Sequence, residues 1–197
     1  MNLLALILAA LAIMGSPGPS TMSATAVAAA YGFGRSLPYA AGLIAGTGVV
    51  LLAVAAGIVA LVLSVPHAAP VLVAVSALYI LYLAWQIATA PPLAARGDGP
   101  AEAPGWIGGF LLAVANPKAF VAIAAVFAGT TVVPDDPGLD AIMKTAVLAG
   151  MIVLIHLGWL LVGAALSRAL QHPSWSRAIN VTLAAVLVAT TALTVLG

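Results

Sequence analysis

The chain has 197 residues, of which 64% are apolar and only 6% are charged, against about 25% charged residues in ordinary globular domains. A soluble domain of this size could not bury so much apolar surface, so a mean hydropathy of +1.22 excludes most soluble enzymes, nucleic-acid-binding proteins and disordered proteins. Six Lys and Arg residues against five Asp and Glu residues give a net charge of +1, which indicates no polyanionic partner and no nucleic acid. The composition predicts an integral membrane protein whose partner is the lipid bilayer.

The reactive residue types are too few for most catalytic or metal sites. The sequence contains no cysteine, which excludes disulfides, thiolate metal sites and cysteine nucleophiles. Three scattered histidines and five acids do not form a metal-binding pattern, and no phosphate-binding G-x-x-x-x-G-K-[ST] motif occurs. We therefore predict no metal, no cofactor and no enzymatic activity.

The first half of the chain is long enough for three membrane crossings. Residues 1–34 carry no charge and can form one crossing, since a helix needs about 20 apolar residues to span the hydrocarbon. A loop with the sequence YGFGRSLP follows, and then 60 charge-free residues, 36–95, which SVPHAAP at 64–70 divides as a turn between helices. The second and third spans are predicted at roughly 37–63 and 71–89.

The second half repeats this count after a linker at about 91–105, where Pro, Gly and charged residues are concentrated. We expect one all-α transmembrane domain over residues 1–197, with repeat one at about 1–90 and repeat two at about 106–197. Because each half has three spans, related halves would be inverted relative to each other, as in many secondary transporters. Spans four, five and six are predicted at roughly 106–128, 142–166 and 178–196.

The basic residues predict the orientation of these spans. Short cytoplasmic loops carry an excess of Lys and Arg. The first, third and fifth loops contain four arginines, whereas the opposite side has one lysine and three aspartates. We therefore expect the odd-numbered loops in the cytoplasm and both termini outside. The arginines are Arg35, Arg96, Arg168 and Arg177.

Span one contains Pro17-Gly18-Pro19, which cannot continue as regular helix because each proline removes an amide donor and crowds a carbonyl. Unpaired carbonyls at membrane depth cost several kcal/mol unless they face protein or water. We therefore predict a break that lines a cavity and includes Ser20 in the substrate site. The alternative is a simple kink.

Span four contains Asn116-Pro117-Lys118 about twelve residues from its start. A lysine near the bilayer midplane costs roughly 2.5–3.5 kcal/mol to insert, so Lys118 should face a cavity where a carboxylate ligand, a carbonyl or water offsets the cost. The alternative is a lysine that extends to the headgroups, although the middle of a span is far from them. The triplet is predicted to be a second helix break and part of the substrate site.

His156 lies in the middle of span five, and no acidic residue lies in any predicted span. Imidazole gains and loses a proton between pH 5 and 8, so His156 is a candidate for proton coupling. The alternative is a histidine that only hydrogen-bonds a neighbouring helix.

These segments resemble those of the LysE/RhtB family of lysine and homoserine/threonine exporters. The resemblance rests on SPGP near the N-terminus, LYILYLAWQ before the linker, NPKAF in span four and HLGW in span five, in the same order over nearly the whole chain. It implies a carrier of the bacterial cytoplasmic membrane that exports amino acids or related small solutes, driven by protons, as a homodimer. The family's two helix-breaking motifs fall on Pro17, Gly18 and Pro19, and on Asn116, Pro117 and Lys118.

The chain departs from the family pattern at three positions where relatives commonly carry an acid, namely Ser20, Thr47 and His156. These changes remove negative charge from the expected pathway, so they put cationic substrates and carboxylate-based proton coupling in doubt. The alternative function is a carrier of the same architecture for another metabolite, a lipid-linked compound or an ion. A non-catalytic membrane subunit is the other alternative.

Overall fold

The computed structural model describes residues 3–57, 68–89, 103–169 and 173–196, and within these ranges every regular element is helical. The all-α prediction is confirmed. In chain order the helices are α1 (Leu3–Ala9), continued by a π-helical turn (Ala10–Met14), α2 (Pro19–Tyr31), α3 (Phe33–Ala55), α4 (Ala68–Thr89), α5 (Trp106–Ala115), α6 (Pro117–Gly129), α7 (Pro137–Ala169) and α8 (Pro173–Leu196).

Both predicted helix breaks are present. The segment Leu3–Met14 meets α2 at an angle of 68°, and α5 meets α6 at 61°. Pro19 and Pro117 are the first residues of α2 and α6, where the missing amide of proline would have had no partner inside the helix. Each proline therefore starts a new helix instead of bending an existing one.

Two described helices are long and apolar enough to cross a membrane, Phe33–Ala55 and Pro137–Leu166, and the number rises to four if each bent pair is one crossing. Two more apolar stretches, Val73–Thr89 and Arg177–Ala192, are shorter than 18 residues within the described chain. The six-span arrangement and its inverted repeats stay a prediction. The turn expected at residues 64–67 and most of the linker lie outside the described residues.

Two predicted loops are shorter than expected. The first is a single residue, Gly32, whose φ of +81° favours glycine, and α3 begins directly after it at Phe33. Arg35 is therefore exposed on the first turn of α3. The loop before α7 ends at Asp136 and α7 begins at Pro137, so Asp140 and Lys144 lie on α7.

Asp140 and Lys144 form a buried ion pair, with 2.7 Å between Lys144 Nζ and Asp140 Oδ2. The other carboxylate oxygen of Asp140 accepts hydrogen bonds from the amides of Val132 and Val133, at 2.6 and 2.9 Å. Lys144 also donates to the carbonyl of Phe127 at 2.9 Å. This pair therefore fixes the turn between α6 and α7 and neutralises its own charges there.

The close packing of α3 on α5 positions the second break. A Cβ added at Gly46 would lie 2.6 Å from the Phe110 carbonyl oxygen and 2.8 Å from Ala113 Cβ. Gly42 likewise meets the backbone of Trp106 and Phe110. Gly42 and Gly46, which are four residues apart on one face of α3, therefore mediate helix packing within the chain. This packing places Thr47 of α3 near the junction of α5 and α6.

Candidate functional site

The first break frees backbone carbonyls, and polar side chains from other helices bind three of them. The indole N–H of Trp159 on α7 donates to the Gly15 carbonyl at 3.0 Å. The ammonium of Lys118 on α6 donates to the carbonyls of Ser16 at 2.6 Å and Pro17 at 2.8 Å. Because unpaired carbonyls are costly away from water, these contacts hold the broken segment in place.

The start of α2 is closed by Thr21. Its hydroxyl accepts a hydrogen bond from the Gly18 amide at 2.9 Å and lies 3.2 Å from the Gly18 carbonyl oxygen. This is one half of the usual reciprocal cap, in which the third residue of a helix binds the amide of the capping residue. Thr21 therefore fixes Gly18 at the point where α6 approaches.

Asn116 joins the two breaks. Its side-chain oxygen accepts from the Lys118 amide at 3.1 Å, which caps α6. Its side-chain nitrogen donates to the Ser20 hydroxyl on α2 at 2.8 Å. Asn116 and Ser20 are both buried, so this hydrogen bond connects the start of α2 to the start of α6.

Lys118 Nζ has three acceptors, because the Ser16 hydroxyl lies 2.8 Å away in addition to the carbonyls of Ser16 and Pro17. Three acceptors match the three N–H donors of an ammonium group. In the described part of the chain the one ion pair is Asp140 with Lys144. The charge of Lys118 is therefore solvated by neutral oxygens and not by a carboxylate.

Gly18 makes room for this lysine. A Cβ at Gly18 would lie 2.6 Å from Lys118 Cδ and 2.8 Å from its Nζ. The φ of Gly18 is −174°, which any residue can adopt. The glycine is therefore needed for space and not for backbone conformation.

A small cavity of about 40 Å³ lies between the two breaks and the middle of α7. Because one water needs about 10–15 Å³ of such space, the cavity has room for a few water molecules. Of the described residues that line it, Lys118 is charged and none is acidic. The lining residues are Met14, Gly18, Ser20, Thr21, Thr47, Asn116, Lys118, Ala119, Ala122, Ile123, Ile152, Ile155 and His156.

Two polar atoms on the cavity wall have no hydrogen-bond partner in the described structure, Nε2 of His156 and Oγ1 of Thr47. Both side chains are buried, with 4% and 5% of their surface exposed. The other ring nitrogen of His156, Nδ1, lies 2.8 Å from the Ile152 carbonyl oxygen. Unpartnered buried polar atoms are uncommon in proteins, and here both border the same cavity.

The structure brings together five of the eight residues predicted for substrate binding or proton coupling. Gly18, Ser20, Asn116, Lys118 and His156 line the cavity. The three prolines do not line it. Pro17 is exposed and contributes only its carbonyl to Lys118, whereas Pro19 and Pro117 start helices.

The role of Trp159 was not predicted from the sequence. It lies in the HLGW segment, three residues after His156, and its indole N–H binds the Gly15 carbonyl. Its backbone carbonyl in turn accepts from the Thr25 hydroxyl at 3.1 Å. An indole N–H needs an acceptor when it is buried, but the sequence does not show which freed carbonyl it reaches.

Among the described residues no group of three or more His, Cys, Asp or Glu side chains could hold a metal ion.

Comparison with known proteins gives one family and several relatives. The LysE type translocator family matches residues 11–196. The cysteine/O-acetylserine efflux protein of Salmonella typhimurium is 32% identical over 174 residues, which cover 88% of this chain and 87% of that protein. The protein of the same description from Escherichia coli strain K12 is 30% identical over 175 residues, with the same coverage. No solved structure matches the chain significantly.

Proposed function

The chain belongs to the LysE type translocator family, a family of membrane transporters, and from this premise we propose that it exports small neutral amino acids across the bacterial cytoplasmic membrane. The relatives named as cysteine/O-acetylserine efflux proteins support this class of substrate. The cavity supports it as well, since a wall without acidic residues suits a zwitterion better than a cation such as lysine. Export of amino acids or related solutes, and not catalysis, is therefore the proposed activity.

The observation that carries the proposal is the Lys118 ammonium beside the cavity, held by two carbonyls and a hydroxyl of the broken segment. A substrate carboxylate can replace these neutral acceptors, because hydrogen bonds between charged partners are stronger than those to neutral groups. Lys118 then binds the substrate carboxylate, and Asn116 and Ser20 keep the two breaks aligned.

We propose that transport follows an alternating-access cycle around this site. Displacement of the Ser16 and Pro17 carbonyls from Lys118 removes a link between the first break and α6. The segment before the first break, Leu3–Met14, can then move relative to α6, while the hydrogen bond between Asn116 and Ser20 keeps α2 and α6 together. In this scheme six spans in two inverted repeats surround a site near the bilayer midplane, both termini lie outside, and proton movement through His156 drives export.

The test uses purified protein in proteoliposomes and counterflow of radiolabelled L-cysteine under reducing conditions. We expect Lys118→Met to lower cysteine counterflow by about ten- to hundredfold, since a hydrogen bond to a charged group contributes about 1.5–3 kcal/mol. The matched control Lys118→Arg keeps the positive charge and should retain more transport than Lys118→Met.

Cysteamine, which is cysteine without its carboxylate, separates carboxylate binding from a general effect on folding. It should compete poorly with cysteine for the wild-type protein. Transport by Lys118→Met at the wild-type rate would remove Lys118 from the site. If wild-type protein carried no individual amino acid, the carrier of another metabolite, lipid-linked compound or ion would be favoured instead.

A further inference from the structure

We infer that Nε2 of His156, together with Oγ1 of Thr47, forms the acceptor site for the α-ammonium group of the substrate, and that a proton competes with the substrate for this site. The inference rests on the proposed function, because it assigns the second charged group of the same zwitterion. It starts from two buried polar atoms of the cavity wall that lack partners in the described structure.

The hydrogen bond at the other ring nitrogen assigns the tautomer of His156. A carbonyl oxygen can only accept, so the 2.8 Å contact with the Ile152 carbonyl requires a proton on Nδ1. In neutral imidazole Nε2 then carries a lone pair and no proton. This atom therefore requires a donor from the cavity, and no described side chain supplies one.

A substrate ammonium needs acceptors that the cavity must provide. Burying an unpaired charge costs several kcal/mol, and none of the described lining residues is acidic. His156 Nε2 and Thr47 Oγ1 are the lining atoms whose capacity to accept is unused. The third N–H of the ammonium then needs a further acceptor, such as a water molecule.

The ammonium fits this site better than a substrate side chain does. Cysteine has a thiol that can donate, but the ester of O-acetylserine has no donor, so the α-ammonium is the donor shared by the two compounds in the relatives' names. A thiol or ester without a partner also costs less to bury than an unpaired charge. The site therefore recognises the amino group common to all such substrates.

A proton on Nε2 would abolish this site. Protonated imidazole donates at both nitrogens, so Nε2 could no longer accept from an ammonium, and the two positive charges would repel each other. Lys118 on α6 is the other charged group of the cavity wall. Helix α7 packs against α1 with its π-helical turn, against α2 and against α3. The titratable residues of these segments are Tyr31, Arg35 and Tyr39, and none of them lines the cavity. Along α7 itself, Asp140 and Lys144 pair with each other about three turns away.

Proton binding and substrate binding at His156 therefore exclude each other. A substrate that leaves toward an acidic exterior is replaced by a proton, and that proton must leave on the cytoplasmic side before the next substrate binds. This exchange couples export of a zwitterion to entry of a proton at a single nitrogen atom.

The test measures half-saturation of L-cysteine counterflow, with equal pH on both sides of the proteoliposome. For wild-type protein the half-saturating concentration should rise as the pH falls from 7.5 to 5.5, because protonation of His156 removes the acceptor for the substrate ammonium. The competitor 3-mercaptopropionate, which is cysteine without its ammonium, should bind at least several-fold more weakly than cysteine at pH 7.5, and its binding should not weaken as the pH falls.

The decisive variant is His156→Asn, whose amide can keep the bond to the Ile152 carbonyl but offers neither the Nε2 acceptor nor a titrating group. We expect the half-saturating concentration of cysteine to rise by about tenfold at pH 7.5, as for the loss of one hydrogen bond to a charged group, and its pH dependence to disappear. Competition by 3-mercaptopropionate should change less than twofold.

Thr47→Val supplies a second variant that removes the other acceptor at nearly constant volume, and Thr47→Ser should restore binding. If His156→Asn fails to insert, Thr47→Val and the wild-type measurements decide the question. Equal competition by cysteine and 3-mercaptopropionate, or half-saturation independent of pH in wild-type protein, would overturn the inference. In that case a loss of transport in Lys118→Met would still support the proposed function. A wild-type protein without amino-acid transport would overturn both.

Discussion

At the scale of single residues, the proposed site depends on one flexible side chain held in a defined position. Lys118 reaches three oxygens of the first break because Gly18 has no side chain in its path. The backbone of Gly18 is extended, so a substitution there would act through contact with the lysine and not through backbone strain. Gly18 is therefore a sensitive test of whether the position of the amine matters.

We expect Gly18→Ala to lower cysteine counterflow by about tenfold or more, the effect of losing one or two charge-assisted hydrogen bonds. The new methyl group would displace Lys118 Cδ and Nζ from their present positions. Thermal stability should change little, since a lysine side chain can move. Gly34→Ala is the matched control, because no atom lies within 4 Å of a Cβ at Gly34.

Cysteine counterflow by Gly18→Ala at the wild-type rate would contradict the assigned position of the Lys118 amine. A loss of transport in Gly34→Ala as well would show that the assay responds to an added methyl group even at a position outside the site.

The sequence predicted Ser20, Asn116, Lys118 and His156 as residues of the candidate site, but not their contacts. Proline removes a helical hydrogen bond and lysine is costly in lipid, so the patterns around Pro17 and Lys118 could be interpreted locally. The partners of Lys118 lie about 100 residues away, and no local rule identifies them. Thr47 could be named only as a position that lacks a family acid, since its proximity to the cavity depends on how α3 packs against α5.

At the scale of helices, glycine positions determine how closely α3 approaches α5. Gly46 touches the backbone of Phe110, whereas a Cβ added at Gly48, on the same helix, would have no atom within 4 Å. The two glycines therefore form a matched pair. Thr47 lies between them, so the packing at Gly46 also determines where one of the two unpartnered polar atoms lies.

We expect Gly46→Ala to destabilise the protein by about 1–3 kcal/mol, the usual cost of overpacking. Gly48→Ala should be neutral or slightly stabilising, because alanine favours helix over glycine. Thermal unfolding of the detergent-solubilised protein, followed by tryptophan fluorescence, measures both. Equal stability of the two variants would show that α3 and α5 do not pack as closely as described.

At the scale of the whole molecule, the proposed orientation in the membrane rests on where the charges lie. Arg35 is exposed at the start of α3, and Asp135 is exposed in the turn between α6 and α7. Lys144, the lysine that weakens the charge asymmetry, is buried in its ion pair with Asp140. The proposed topology therefore places Arg35 in the cytoplasm and Asp135 outside.

Because the chain has no cysteine, an introduced cysteine is the single thiol for labelling. In intact spheroplasts, a membrane-impermeant maleimide should label Asp135→Cys, whereas Arg35→Cys should react only after the membrane is permeabilised. The reverse pattern would place both termini in the cytoplasm. Labelling of both sites in intact spheroplasts would contradict an odd number of crossings between them.

The fold could be predicted where the positions of charges and prolines determine the structure. It could be predicted less well where the packing of helices and side chains determines it. The helical class and both breaks follow from hydropathy and from Pro17, Pro19 and Pro117. The lengths of the helices do not, because the burial of Asp140 with Lys144 lets α7 begin five residues earlier than predicted. Likewise a single glycine, Gly32, replaces a predicted loop of eight residues.

The three oxygens around the Lys118 ammonium have one further consequence, for the concentration range in which the carrier works. An incoming carboxylate exchanges with acceptors already in place, so only the difference between the two sets of contacts contributes to affinity. We therefore expect weak binding, with the transporter nearly idle at ordinary solute levels and active when a metabolite accumulates. Such a carrier would export its substrate when the substrate accumulates in the cell, and would export little of it at ordinary concentrations.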